Sequence, residues 1–154
     1  MANSTRSLVM SAIVTALEGI ATSAYVTSTL ALVSESLPES IAAIDIKDLP
    51  AVFPIDADEE YESNEIGSGT IDIECTLTIV VTCVIFNQYN VTRQARTDLI
   101  RDVTKALLND AALESLINYI EPLRTTTDKG VVQNYSIWDQ EFVVNYDYTS
   151  ANGG

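Results

Sequence analysis

Residues 71–86 read IDIECTLTIVVTCVIF, and the fold is organised around this stretch. Its odd-numbered positions are all apolar: Ile71, Ile73, Cys75, Leu77, Ile79, Val81, Cys83 and Ile85. The even-numbered positions begin with Asp72, Glu74, Thr76 and Thr78 and also include Thr82. Successive side chains of a strand point to opposite faces, so this period of two predicts a β-strand with one face in a core.

This predicted strand is unusually long. Sixteen residues at about 3.3 Å each span about 50 Å, several times the usual strand length. Such a strand either bends at a bulge or projects past its own domain. Its even positions become apolar towards the end, at Val80, Val84 and Phe86. We therefore expect the second half to be covered on both faces, by the chain itself or by a neighbouring copy.

Length and charge limit the possible functions. The chain has 154 residues, a net charge of −14 and no histidine. This length predicts one domain, over residues 1–148, followed by a mobile tail over residues 149–154. So acidic a chain is repelled by nucleic acid and by anionic membranes. The absence of histidine removes the commonest general base and transition-metal ligand.

The cysteines and the apolar runs indicate where the protein is made. Cys75 and Cys83 share one predicted strand, about 26 Å apart, which is too far for a disulfide and predicts reduced, buried thiols. The sequence shows no membrane-spanning run and no signal peptide. A protein made in the cytoplasm, with no membrane partner, is expected.

Helical periodicity is clear in three segments and ambiguous in a fourth. Residues Ser4 to Gly19 predict an amphipathic helix with a polar N-cap. Asn90 to Asn109 predict a second helix, which carries four of the eight basic residues of the chain, and Ala111 to Tyr119 a short third one. Ala24 to Ser36 fits either a helix or a strand, and the helix is favoured.

The remaining segments are predicted from prolines and other turn residues and from the alternation of apolar and polar residues. The run Asp48 to Ile55 contains two prolines and indicates an edge strand or one entered through a turn. Asp56 to Gly69 predicts a solvated acidic loop. Pro122 is expected to turn the chain before a hairpin loop at Thr125 to Gly130, and Val131 to Tyr148 forms the last strand. The predicted fold class is α/β (α+β), with a mixed or antiparallel sheet, one long central strand at about 71–86 and helices on one face.

Candidate chemical sites are weak. The Asp56-x-Asp58-x-Glu60 spacing resembles a calcium loop, but the glycine and the final glutamate of that loop are replaced by Tyr61 and Gly67. Asp72 and Glu74 share one strand face at about 7 Å, a glycosidase-like separation, although a polar sheet face is preferred. Aromatic residues near the C-terminus could form a ligand platform but more often belong to a core or an interface: Tyr135, Trp138, Tyr146 and Tyr148. We expect no catalytic site, metal or cofactor.

The order of elements resembles a known family. The quoted features are Asp48-Leu49-Pro50-Ala51-Val52, the long alternating strand, the helix from Asp98-Leu99-Ile100-Arg101-Asp102-Val103 to Ala106-Leu107-Leu108, the ALESL turn within Ala111 to Leu116, and the closing Phe142-Val143-Val144-Asn145-Tyr146. Together, over roughly residues 48–148, they look like the tail terminator (tail completion) proteins of long-tailed bacteriophages. The stretch Tyr25 to Ile46 departs from compact members of that family.

The resemblance implies an α/β domain that assembles into a hexameric ring in the virion, near the neck. Such a ring sits on the last ring of tail-tube subunits, ends tube growth and joins the tail to the neck or connector protein. No catalytic residues are implied. An acidic chain suits a channel through which DNA passes without binding, because like-charged walls avoid phosphate contacts.

Two sets of residues are expected to serve this assembly. The basic residues Arg93, Arg101 and Lys105 are predicted at a subunit interface, where Arg101 and Lys105 pair with the acidic stretch of a neighbour. The acidic residues are predicted in that stretch or on the channel wall: Asp56, Asp58, Glu59, Glu60, Glu62, Glu65, Asp72 and Glu74.

Two alternatives remain open from sequence. Another neck, head-completion or tail-tube protein would share the acidity and the lack of catalytic groups. A small enzyme or ligand-binding module would instead use the carboxylates near Glu74 and the tyrosines near Tyr146.

Overall fold

The computed structural model describes residues 4–22, 24–27, 29–65, 69–87, 92–129 and 132–150. Five strands form one sheet: β1 (Leu32–Val33), β2 (Ala51–Glu65), β3 (Ile71–Phe86), β4 (Tyr119–Thr127) and β5 (Tyr135–Thr149). Their spatial order is β1-β2-β3-β5-β4. Only β1 is parallel to its neighbour, and the other pairs are antiparallel. The predicted α+β class with a mixed sheet is confirmed.

Among the described residues, three α-helices cover one face of this sheet. They are α1 (Thr5–Glu18), α2 (Thr92–Leu108) and α3 (Ala111–Glu114). The Ser4 hydroxyl caps α1 by accepting the Ser7 N–H at 3.2 Å, as the sequence predicted. The apolar stripes of the helices pack on the odd positions of β3 and the even positions of β5, including Leu77, Ile79, Phe142 and Val144. We call this side the helix face and the opposite side the outer face.

The strand predicted at 71–86 is β3, with the same bounds. It is paired along its whole length, with β2 from Ala51↔Val84 to Glu65↔Ile71 and with β5 from Asp72↔Thr149 to Phe86↔Tyr135. Its second half is covered on both faces, as expected, and the cover on the outer face comes from the chain itself. A small cluster there consists of Ile44, Ala51, Phe53 and Val84.

The acidic loop predicted over Asp56 to Gly69 is wrong for residues 56–65, which belong to β2. Acidic residues are poor strand formers, so the local sequence favoured a loop. Pairing with the long β3 strand outweighs that preference. The exposed carboxylates keep their charges in solvent, so the strand conformation does not require them to be buried. Residues 66–68 lie outside the described residues, and Gly69 lies in the turn that leads into β3.

Three other local predictions are also wrong. The described residues of Ala24 to Ser36 form turns and the two-residue β1 rather than a helix, followed by 3-10 turns at Ile41–Ala43 and Ile46–Asp48. Pro122 does not turn the chain but lies inside β4, next to an irregularity in its pairing with β5. Residues 125–127 of the predicted hairpin loop extend β4, and the turn begins at Asp128.

The ends of the long strands are tied together. Thr149 is the last residue of β5, and Ser150 donates its N–H to the Ile71 carbonyl at 2.8 Å while its hydroxyl accepts the Ile71 N–H. The rest of the predicted tail, residues 151–154, lies outside the described residues. Within the described ranges, no helix combines the length and apolarity needed to cross a membrane. Cys75 and Cys83 are free, buried thiols, as predicted.

Candidate assembly surfaces

A row of carboxylates crosses the outer face near the β2–β3 hairpin. Glu62 on β2 lies directly opposite Glu74 on β3, and Glu74 lies directly opposite Asp147 on β5. We call these three residues the acidic row. Like charges in directly opposite positions destabilise a sheet, so folding alone does not favour this arrangement. Glu60 and Asp72 lie on the same face, in the pairs Glu60↔Thr76 and Asn64↔Asp72 that flank the pair Glu62↔Glu74.

Two side-chain amides, one buried and one exposed, support the acidic row. The Asn145 side chain, only 2% exposed, donates to Glu74 Oε1 at 2.9 Å and to Thr76 Oγ1 at 3.2 Å. Asn118 donates to Asn145 Oδ1 at 2.7 Å and to Asp147 Oδ2 at 3.1 Å. Two of the three carboxylates therefore have fixed positions, and their remaining oxygen lone pairs point to solvent or to a partner. No pattern in the sequence pointed to Asn118, Asn145 and Asp147 at this surface.

Asp56 and Glu59 have a different environment from the rest of the acidic stretch. A shift of register between them turns Glu59 onto the helix face, opposite Leu77. Arg6 of α1 donates to Asp56 Oδ2 at 2.9 Å through Nε and also forms an ion pair with Glu59. The Tyr146 hydroxyl donates to the second Glu59 oxygen. These two carboxylates therefore hold α1 on the sheet, which the sequence prediction missed.

Two groups near Glu59, the Tyr146 hydroxyl and the Cys75 thiol, have raised pKa values, as expected of acids in a buried site. Burial and then the nearby Glu59 carboxylate raise the pKa of the Tyr146 hydroxyl well above its ordinary value. The same two causes raise the pKa of the Cys75 thiol to about 12. Both groups are protonated at neutral pH. They act as hydrogen-bonded core residues.

The calcium-loop spacing and the aromatic platform do not form sites. Asp56, Asp58 and Glu60 lie along a strand that contains the register shift, and no cluster of three or more potential metal ligands occurs in the described part of the chain. Trp138 and Tyr146 are each 1% exposed and belong to the core. Because Tyr146 lies on the helix face and Glu74 on the outer face, these two residues cannot line one pocket.

The predicted interface residues lie on α2. Arg93 is exposed, and Arg101 lies 3.7 Å from Asp98 with 64% of its side chain exposed. Lys105 donates to the Ala24 carbonyl at 3.3 Å and lies 4.8 Å from the centre of the Tyr25 ring. None of the three forms an ion pair with the acidic strand β2 among the described residues. Their pairing with a neighbouring copy stays a prediction.

An apolar cleft opens at the other end of the sheet. It has a volume of about 450 Å³, and its walls include Val26, Ile46, Leu49, Phe86 and Ala95. Val26 and Ile46 are 58% and 57% exposed at its rim. Its polar lining consists of threonines and Asp98, so the cleft offers packing surface rather than a recognisable arrangement of nucleophile and base.

No protein-family model and no curated protein sequence matches the chain. Among solved structures, a chain of the virion of a native gene transfer agent particle is similar, with a TM-score of 0.58 and 13% sequence identity. The match covers 96% of this chain and 100% of that chain. At this identity the likeness establishes a shared fold.

Proposed function

We propose that this chain is a structural protein of a phage-like virion. It acts as a tail terminator, forming a ring at the head-proximal end of the tail tube that ends tube growth and joins the tail to the neck. The observation that carries this proposal is the fold shared with a virion component over 96% of this chain and 100% of that chain. The proposed function requires no catalytic group, metal or cofactor.

The acidic row supports a channel role. Glu62, Glu74 and Asp147 maintain a negative surface on one face of the sheet at a cost in stability. A wall of this sign repels the DNA backbone and prevents the multiple phosphate contacts that would hold DNA in place. In the proposed ring this face, together with Glu60 and Asp72, lines the lumen.

Head-to-tail contact between copies closes the ring. The basic face of α2, with Arg93, Arg101 and Lys105, lies on one part of the subunit and the acidic strand β2 on another. Opposite charges on different surfaces favour a heterologous contact, which closes a ring rather than a two-fold dimer. Six copies is the number that the family resemblance suggests.

Two measurements on the full chain test the proposal. Native mass spectrometry and negative-stain electron microscopy of the purified protein should give one closed ring, with a channel wider than duplex DNA. Gold-labelled antibodies against the chain should bind purified particles at the head–tail junction. Growth into long tubes would instead indicate a tube subunit, and a monomer that does not label particles would refute a virion role.

A further inference from the structure

Both lateral edges of the sheet are open in the described part of the chain. There β1 pairs only with Ala51 and Val52 at the start of β2, and no other described strand pairs along the rest of that edge. At the opposite side β4 is the outermost strand, and all but one of its nine residues are exposed. Open edges of this length are templates for contact with another chain.

The two edges differ in charge. β2 contains six acidic residues and no basic one. β4 contains one basic residue, Arg124, and one acidic residue, Glu121. On the β2 edge Asp58 is exposed, and it has no ion-pair partner among the described residues. On the β4 edge the side chain of Arg124 is 63% exposed.

Arg124 has hydrogen-bonding capacity left for a partner. Its Nε lies 2.8 Å from Glu141 Oε2. A guanidinium carries five N–H donors in a planar fork, so this contact leaves the terminal nitrogens able to bind a second carboxylate. Glu141 thus holds the Arg124 side chain in place at the edge.

The strand register places Arg124 on β4 and the irregular part of β2 at the same height in the sheet. Arg124 is level with Ile55 through the successive pairs Arg124↔Glu141, Glu141↔Val80 and Val80↔Ile55. The irregularity of β4, between Pro122 and Arg124, is therefore level with that of β2, between Asp56 and Glu59. A copy placed beside this one without axial displacement brings Arg124 close to Asp58.

Strand direction also permits this contact. β2, β3, β5 and β4 are successively antiparallel, so β4 runs opposite to β2. In a ring all copies have the same orientation relative to the axis. The β4 strand of one copy would then lie antiparallel to the β2 strand of the next and continue the alternation already present within the subunit.

We propose that neighbouring copies join edge to edge, the β4 edge of one copy against the β2 edge of the next, with Arg124 facing Asp58 of the neighbour. This inference rests on the proposed ring. Each edge strand contains a proline, Pro54 or Pro122, which removes a backbone donor and limits indiscriminate strand addition. Charge complementarity between side chains therefore selects the partner.

A charge-swap experiment tests this contact. Arg124→Glu and Asp58→Lys are each expected to raise the concentration needed for half-assembly at least about tenfold in low salt, because like charges then meet at every interface. An equimolar mixture of the two variants should restore rings, since alternating copies bring opposite charges together at both kinds of interface. Native mass spectrometry should find the two variants in equal numbers in each ring.

A matched mixture provides the control. Glu114→Lys reverses an exposed acid on α3, outside both edge strands. It should form rings by itself, and in a mixture with Arg124→Glu the rings should not take up the two variants in equal numbers. Circular dichroism of each variant at monomeric concentration verifies folding. If both edge variants form rings at the same concentration as the wild type, this contact is overturned and the proposed function stays intact. A wild-type protein that never assembles would overturn the ring and the contact together.

Discussion

Glu59 on β2 accepts the hydroxyl hydrogen of Tyr146 on β5, across the intervening strand β3. The Glu59 side chain is 5% exposed and is also bound by Arg6 of α1. One carboxylate thus connects a helix with two non-adjacent strands. Its position depends on the shift of register in β2, without which it would not lie on the helix face.

Replacing Glu59 by Ala should lower the free energy of unfolding by about 1–3 kcal/mol, because Arg6 and Tyr146 lose their shared acceptor. Urea unfolding at a fixed protein concentration measures the change. Glu39→Ala, at an exposed position, serves as the control and should change stability by less than about 0.5 kcal/mol. Equal losses in the two variants would contradict an anchoring role for Glu59.

Gln140 links β5 to α2 and is 2% exposed. Its Oε1 accepts the Trp138 indole N–H at 3.0 Å, and its Nε2 donates to the Ile100 carbonyl at 3.1 Å and to the Thr104 hydroxyl at 3.3 Å. Gln140→Leu keeps the size but leaves a buried indole N–H without an acceptor, so a loss of about 1–3 kcal/mol is expected. Thr104→Val removes one weaker bond and should cost less in the same unfolding assay.

The acidic row should be a source of instability in the isolated chain. Glu74→Gln removes the like charge opposite both Glu62 and Asp147 while retaining an oxygen for the Asn145 amide. We expect a gain of about 0.2–1 kcal/mol in low salt. The gain should shrink in 1 M salt, where the screening length is about 3 Å. Destabilisation of the variant in both salt conditions would refute the repulsion.

Alkaline pH should weaken the fold through the buried thiols and Tyr146. The folded-state pKa of Cys75 is raised from 9.0 to about 12 by burial and by Glu59, and burial also raises that of Cys83. Between about pH 9 and 12 the unfolded chain therefore releases protons that the folded chain retains. The stabilisation is fully present below pH 9 and is lost as pH rises.

Cys75→Ala tests this linkage. Its unfolding free energy should fall less steeply than that of the wild type between pH 9 and 11, by up to about 1.4 kcal/mol per pH unit. A thiol reagent at pH 8 should label the native protein slowly and the urea-unfolded protein at both cysteines. Parallel pH curves for variant and wild type would show that Cys75 does not titrate differently in the folded state.

Local patterns predicted the elements whose stability comes from one buried face. The alternation of β3 and the apolar stripes of α1 and α2 are periodic, so their type and approximate bounds could be predicted from sequence. β2 could not be predicted beyond Ile55, because its acidic residues favour a loop and its strand conformation is imposed by pairing with β3. The 24–36 stretch has no single period, and the helix predicted there is wrong.

Residue type and local spacing are enough to define the central strand, the two longer helices and the strongly negative charge. Which carboxylates share a surface depends instead on how distant strands pair. Glu62, Glu74 and Asp147 come together through the register of three strands, and Glu59 reaches Arg6 through an irregularity in β2. Register and bulges are set by contacts between residues distant in sequence, so no local pattern records them.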